Sequence, residues 1–214
     1  MIKVAFFDLD GTVLDTAKDI YYCMNQALEE LGYPTVSLEI IESAIGNDKT
    51  KFMRVVMPGQ SQKLLDSIWE YYEPIVAEKG TEKTVVFDGV ESALNALKAR
   101  GYTLVVYTNK TQKELDPFIE KFLLKLPFDR CVAVGGTPYA KPNAEMVLKV
   151  LKEFGVEREN AYFIGDGETD VLVAKNAGIN CIAVLWGNRD REFLRSFGAE
   201  VFAETPEQLL DLIK

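Results

Sequence analysis

Phe6-Phe7-Asp8-Leu9-Asp10-Gly11-Thr12-Val13-Leu14-Asp15-Thr16 is the stretch on which the fold turns. Residues 2–7, IKVAFF, form a short β-rich apolar run. Such a run reads as a strand buried on both faces, as in a parallel sheet. Two carboxylates, Asp8 and Asp10, follow at once. On an extended segment, residues two apart face one side, roughly 6–7 Å apart along the chain. Two such groups at a buried strand end repel unless a cation joins them or one is protonated. The plain alternative is a solvated acidic turn bent at Gly11. An EF-hand loop fits poorly, because it wants a third acid before its glycine.

Outward from this stretch the pattern changes twice. From about 15 to 82 the periodicity is helical. Ile20, Met24, Ala27, Leu28 and Leu31 make one stripe, closed by Gly32 and Pro34, and Leu64, Leu65, Ile68, Trp69, Tyr72 and Val76 make another. Between them, Ser43–Lys51 is polar and breaks at Gly46. After about 84, strands and helices alternate. Strands are expected at Tyr102–Tyr107, Arg130–Val134, Ala161–Ile164, Cys181–Leu185 and Ala199–Phe202, with helices between them and a last helix at 206–213. Alternation of this kind implies right-handed crossovers and a parallel sheet. The expected architecture is α/β: a Rossmann-like parallel sheet core with helices on both faces, from residues 1–15 and 83–214. An all-helical cap, residues 16–82, is inserted after the first strand.

In an open parallel sheet, ligands bind at the carboxyl ends of the strands. Asp8 and Asp10 follow the first strand. Thr108-Asn109-Lys110 follows the second, where a helix N-cap is the plain alternative. Lys141, before Pro142, follows the third. Gly165-Asp166-Gly167-Glu168-Thr169-Asp170 follows the fourth. That last segment nearly spells the dinucleotide fingerprint, but Asp170 stands where the third glycine belongs, and Asp166 would repel a pyrophosphate. Its acids read more naturally as oxygen ligands for a hard cation. The whole set suits phosphoryl transfer: a cation on carboxylates, a lysine and donors on phosphate oxygens, and an acid for the leaving group.

Composition narrows the chemistry. The 214 residues are 48% hydrophobic and 27% charged, the proportions of a soluble globular chain, and carry a formal net charge of −9. That charge argues against nucleic acid and anionic membrane as partners. There is no histidine, so Ser-His-Asp and Cys-His catalysis, HExxH zinc sites and His phosphotransfer are excluded. Cys23, Cys131 and Cys181 are widely spaced, with no CxxC, and read as reduced thiols. The first residues resemble neither a signal peptide nor a membrane span, and the expected location is the cytoplasm. The sequon Asn109-Lys110-Thr111 is without meaning in that compartment.

FFDLDGTVLDT, followed in order by Thr108-Asn109-Lys110, Lys141-Pro142 and Gly165-Asp166…Asp170, resembles the haloacid dehalogenase superfamily over nearly the whole chain. The likeness is to its phosphatases similar to phosphoglycolate phosphatase. The resemblance implies that Asp8 is a nucleophile forming an aspartyl-phosphate, and that Asp10 is the general acid, then the base. It implies that Thr108 and Asn109 bind phosphoryl oxygens and that Lys141 neutralises phosphate charge and restrains Asp8. Mg²⁺ would be held by Asp8, the Asp10 main-chain carbonyl and Asp166, with Asp170 in support. Gly11 and Thr12 let the backbone turn close to the transferring group. Gly167 stands where relatives often carry Ser or Thr. The implied substrate is a small phosphorylated metabolite, phosphoglycolate-like or a sugar phosphate. Alternatives are a sugar phosphomutase of the same family and a non-catalytic binding module. Substrate specificity is expected around Asn47, Asp48, Lys49, Lys51 and Arg54, with Lys49 and Arg54 as candidate substrate contacts. A Schiff-base role for Lys49 or Lys51, as in phosphonate-cleaving members, is disfavoured by the presence of Asp10. Oligomeric state is not legible.

Overall fold

The computed structural model describes residues 2–214. Among the described residues there are eight strands: β1 Lys3–Phe7, β2 Leu14–Asp15, β3 Val85–Val86, β4 Tyr102–Thr108, β5 Arg130–Ala133, β6 Ala161–Gly165, β7 Asn180–Val184 and β8 Phe202–Ala203. Ten α-helices join them: α1 Ala17–Glu30, α2 Leu38–Ala44, α3 Lys49–Val56, α4 Gln62–Lys79, α5 Val90–Ala99, α6 Gln112–Lys121, α7 Glu145–Phe154, α8 Glu168–Ala177, α9 Arg191–Ser196 and α10 Leu209–Leu212.

Six strands form one sheet in the order β5-β4-β1-β6-β7-β8. Every pairing in it is parallel. The expected Rossmann-like α/β sheet is therefore present. β1 lies at its centre, and both faces of this strand are buried. Val4 and Phe6 pack with α7 and α8, while Ala5 and Phe7 pack with α5, α6 and α10. Side chains alternate faces along a strand, so an unbroken apolar run suits a position covered on both sides. Burying each such large side chain stabilises the fold by about 1.5–3 kcal/mol.

A further apolar cluster is drawn only from residues between Ala17 and Val76. It fills the space among α1 to α4. Buried Asp19, in the first turn of α1, accepts hydrogen bonds from the Lys83 and Thr84 amides and the Thr84 hydroxyl. The chain thus returns from this helical layer beside the point where it left. Antiparallel β2 and β3 pair at the same place, with Leu14 opposite Val86 and Asp15 opposite Val85. This two-stranded ribbon was not expected, because two-residue strands have no readable alternation. The terminal segment also differs in detail. Its strand lies at Phe202–Ala203, and its last helix opens with a 3₁₀ turn at Pro206–Gln208 before α10.

Strand order positions the site. From β1 the chain proceeds to β4 and β5 on one side, and to β6, β7 and β8 on the other. Such a switch point leaves a crevice beyond the strand carboxyl ends. Asp8 follows β1, Thr108 ends β4 and Asp166 follows β6, so three adjacent strand ends face that crevice.

Candidate active site

The β1 terminus aims Asp8 into the crevice. Its amide donates to the Ile164 carbonyl at 2.9 Å, and its Oδ1 accepts from the Leu9 amide at 2.7 Å. Lys141 Nζ lies 2.8 Å from the same Oδ1 and 2.7 Å from Asp170 Oδ1. Both ends of the Lys141–Asp8 pair are within 2% of complete burial. Asp8 Oδ2 is buried with no hydrogen-bond partner. Carboxylate oxygens of Asp8, Asp166 and Asp170 come within 4.8 Å of one another.

This crowding shows in the proton equilibria. Burial, with the Asp170 charge next, raises the Asp8 carboxyl to about 8, and Lys141 offsets only part of that. Burial and the Asp8 charge raise Asp166 to about 6. Burial also raises Asp170. For Lys141, burial opposes the charge, but Asp170 and Asp8 outweigh it and hold the ammonium protonated. Lys141 pairs with two of these three buried carboxylates, and the cluster keeps negative charge uncompensated. An all-oxygen acidic cluster with an orphaned lone-pair donor fits a hard divalent cation.

The remaining acids are held in place by short-range contacts. Asp166 accepts from Thr12 Oγ1 at 3.3 Å, and its Oδ2 accepts from the Asn188 amide at 2.7 Å and side chain at 3.0 Å. Asp170 Oδ2 accepts from the Gly167 amide at 2.9 Å, so Gly167 contributes through its backbone. Gly11 has φ +79°, and a Cβ there would overlap Asp166 Oδ2 and Asn188 Nδ2. Glycine is required there both for the turn and for the approach of the acid.

Asp10 sits beside this group. Its Oδ1 accepts from Thr16 Oγ1 at 2.6 Å and faces Lys110 Nζ at 3.1 Å. Lys110, quoted in its motif but given no role by the sequence reading, also belongs to the site. It is buried, with Glu114 as a second carboxylate neighbour and its Nζ 4.9 Å from the Phe118 ring centre. Thr111, not the preceding segment, caps α6, in a reciprocal box with Glu114. Thr108 ends β4 within the cleft and accepts from the Lys110 amide at 3.1 Å. Asn109 Oδ1 accepts from the Lys141 amide at 2.7 Å, and its Nδ2 donates to the Gly46 carbonyl at 3.0 Å.

A cleft of about 410 Å³, including its mouth, lies between these groups and the helical layer. From the helical layer it is lined by Ile20, Phe52, Trp69 and Tyr72 and by the turn Ile45, Gly46 and Asn47 between α2 and α3. Lys49 and Arg54 lie elsewhere. Lys49 pairs with Asp66 at 2.9 Å, and Arg54 bonds Gln62 Oε1 at 3.0 Å, so neither side chain lines the cleft. Asp48 caps α3 by accepting from the Lys51 amide, and Lys51 pairs with Glu168 at 2.8 Å. Glu168 also faces Arg189 Nε at 3.5 Å. Arg189, outside every motif quoted above, donates to the carbonyls of Glu42, Ser43 and Ile45 at 2.6, 2.7 and 3.2 Å.

Against known families, a profile described as haloacid dehalogenase-like hydrolase matches residues 5–184. The chain belongs to this family. Within it, a phosphoglycolate phosphatase of Chromobacterium violaceum is 30% identical, over 100% of this chain and 97% of that protein. A phosphoglycolate phosphatase of Pseudomonas syringae pv. tomato is 29% identical, over 98% of this chain and 76% of its own length. Among solved structures, a provisional phosphoglycolate phosphatase from Lactobacillus delbrueckii subsp. bulgaricus superposes with a TM-score of 0.88 at 28% identity, over 99% of this chain and 98% of that one. Family and relatives together support a phosphoric monoester hydrolase. No helix among the described residues is long and apolar enough to cross a membrane.

Proposed function

We propose that this haloacid dehalogenase-like hydrolase is a Mg²⁺-dependent phosphatase of small phosphorylated metabolites, acting through an aspartyl-phosphate on Asp8. One observation carries the reading. Asp8 ends the central strand with one oxygen tied to Lys141 and the other unpartnered, inside a cluster with Asp166 and Asp170. A carboxylate so placed is a nucleophile with a free lone pair.

Each residue then has a task. Asp8 Oδ2 attacks phosphorus while Lys141 and the Leu9 amide hold Oδ1. Asp10 lines the cleft two residues on and can give a proton to the departing oxygen. The same carboxylate then takes a proton from the water that breaks the acyl phosphate. Thr108 and Asn109 stand at the neighbouring strand end as donors to phosphoryl oxygens, and Lys141 balances their charge. Asp8, Asp166, Asp170 and the Asp10 carbonyl would hold Mg²⁺. A bound divalent cation would offset the negative charge that gathers on phosphate and carboxylates. Residues 16–82 act in this reading as a cap that excludes water from the reacting centre. The three cysteines are free, which supports a reducing compartment, the cytoplasm.

The test is phosphate release from a generic aryl phosphate and a metabolite panel, with and without Mg²⁺. Activity should vanish in excess chelator while circular dichroism stays unchanged. Asp8→Asn should lower turnover by at least three orders of magnitude in a folded protein, since an amide cannot attack phosphorus. Near wild-type turnover in that variant, or full activity in chelator, overturns the reading.

A further inference from the structure

The cleft beside Asp8 has a chemical character that narrows the leaving group. On its helical side the large side chains are Ile20, Ile45, Phe52, Trp69 and Tyr72. They form an apolar, largely aromatic wall. The charged groups lining it are Asp8, Asp10 and Glu114 against a single cation, Lys110. Lys110 is already engaged by Asp10 at 3.1 Å, with Glu114 beside it. The basic residues of the nearby helical segment are turned to other partners. Lys49 goes to Asp66, Lys51 to Glu168, and Arg54 to Gln62. A second anionic group on the substrate would therefore enter an apolar wall without a free counter-charge, at a heavy desolvation cost.

Besides the Tyr72 hydroxyl and the Trp69 indole N–H, this wall carries one buried amide. Asn47 is 92% buried, as its exposure is 8%. Its Nδ2 donates to the Ala44 carbonyl at 2.9 Å. A carbonyl only accepts, so that contact fixes the amide orientation and leaves Oδ1 as the other end. Asn47 Oδ1 is buried and has no partner. Buried acceptors left unpaired are costly, and Asn47 is among the residues that line the cleft. It wants a donor, which a hydroxyl supplies and a carboxylate does not. The enclosed space of the cleft is about 40 Å³, far below that of ordinary small-molecule sites, which favours a short substrate.

Building on the phosphatase reading, we propose that the substrate is a phosphate monoester of a short, uncharged alcohol bearing a further hydroxyl. That hydroxyl donates to Asn47 Oδ1, and the carbon skeleton packs on Phe52, Trp69 and Tyr72. The substrate named for the curated relatives carries a carboxylate at this position instead, and this cleft offers that group no cation.

The experiment compares four phosphate esters on the intact protein with saturating Mg²⁺: 2-hydroxyethyl phosphate, 2-phosphoglycolate, ethyl phosphate and 4-nitrophenyl phosphate. The first two differ only in CH₂OH against a carboxylate. kcat/KM for 2-hydroxyethyl phosphate should exceed that for 2-phosphoglycolate at least tenfold. In Asn47→Ala, kcat/KM should fall at least fivefold more for 2-hydroxyethyl phosphate than for ethyl phosphate, which lacks the donor. A purely structural role of Asn47 would lower both esters alike. If 4-nitrophenyl phosphate is hydrolysed and 2-phosphoglycolate matches or exceeds its neutral partner, the inference falls and the phosphatase reading stands. Equal losses in Asn47→Ala overturn the hydroxyl contact. If no ester is hydrolysed, the phosphatase reading itself fails and takes this inference with it.

Discussion

At the scale of single residues, the decisive feature is three crowded buried carboxylates, two of them tied to one ammonium. The Asp8 carboxyl is raised to about 8 and that of Asp166 to about 6, chiefly by burial. In the unfolded chain both return to about 4. Between roughly pH 4 and 8 the folded protein therefore binds more protons, and its stability falls as pH rises through that window. Metal-free protein should lose at least ~4 °C of Tm from pH 5 to pH 8, where 1 kcal/mol is about 2–4 °C for a chain this long. Added Mg²⁺ should restore more at pH 8 than at pH 5, because in the proposed reading it binds the folded, ionised cluster. Asp8→Asn should flatten the fall. Thermal melts in chelator across this range check it, and a Tm that climbs with pH would contradict the account. Asp8, Asp10, Lys141, Asp166 and Asp170 were legible in the sequence because acids and a lysine recur after strands. Lys110 and Glu114 were not. A lysine two residues beyond a strand end and a glutamate in a first helical turn each have a common solvated reading, and only the tertiary packing buries them together.

At the scale of elements, the clearest feature is how α2 ends. The last carbonyls of a helix lack intrahelical partners and carry the negative end of its dipole. Arg189, from the loop after β7, takes up those of Glu42, Ser43 and Ile45. Asn109 and Thr169 both donate to the next free carbonyl, Gly46, at 3.0 and 2.9 Å. Two loops beyond the sheet and the first turn of α8 thus hold one corner of the helical layer, adjacent to Asn47. Arg189→Ala should lower kcat/KM about tenfold, mainly through KM, since this arginine positions the corner and does not line the cleft. The double variant Lys49→Ala with Arg54→Ala should change kcat/KM less than ~2-fold, as surface pairs contribute little. Steady-state kinetics on both proteins test the contrast, and the reverse ranking would return specificity to α3. Sequence periodicity located the long helices and the sheet strands, because apolar spacing is their own signal. It could not locate β2, β3 or Arg189's contacts. Two-residue strands have no period, and an arginine that binds backbone carbonyls needs no complementary side chain to mark its target.

At the scale of the whole molecule, the sheet order brings distant stretches of a 214-residue chain to one crevice. The sequence foretold that crevice through the alternation of strands and helices. It did not foretell the aromatic wall above it, because Phe52, Trp69 and Tyr72 also belong to the apolar cluster among α1 to α4. Their spacing reads as core, and core is most of what they are. The same packing decides the fate of the sulfur atoms. Burial lifts the Cys23 thiol to about 12, that of Cys131 to about 11 and that of Cys181 to about 12. Thiolates are the reactive form, and almost none are present at neutral pH. Treatment with iodoacetamide or hydrogen peroxide, followed by its removal, should leave phosphate release within about twofold of the untreated protein. Inactivation that tracks thiol loss would show a sulfur the chemistry depends on. Oxidative stress, which silences phosphatases that attack through a thiolate, should pass this one by. A change in the supply of free divalent cation should not, so the cell would govern its output through metal rather than redox balance.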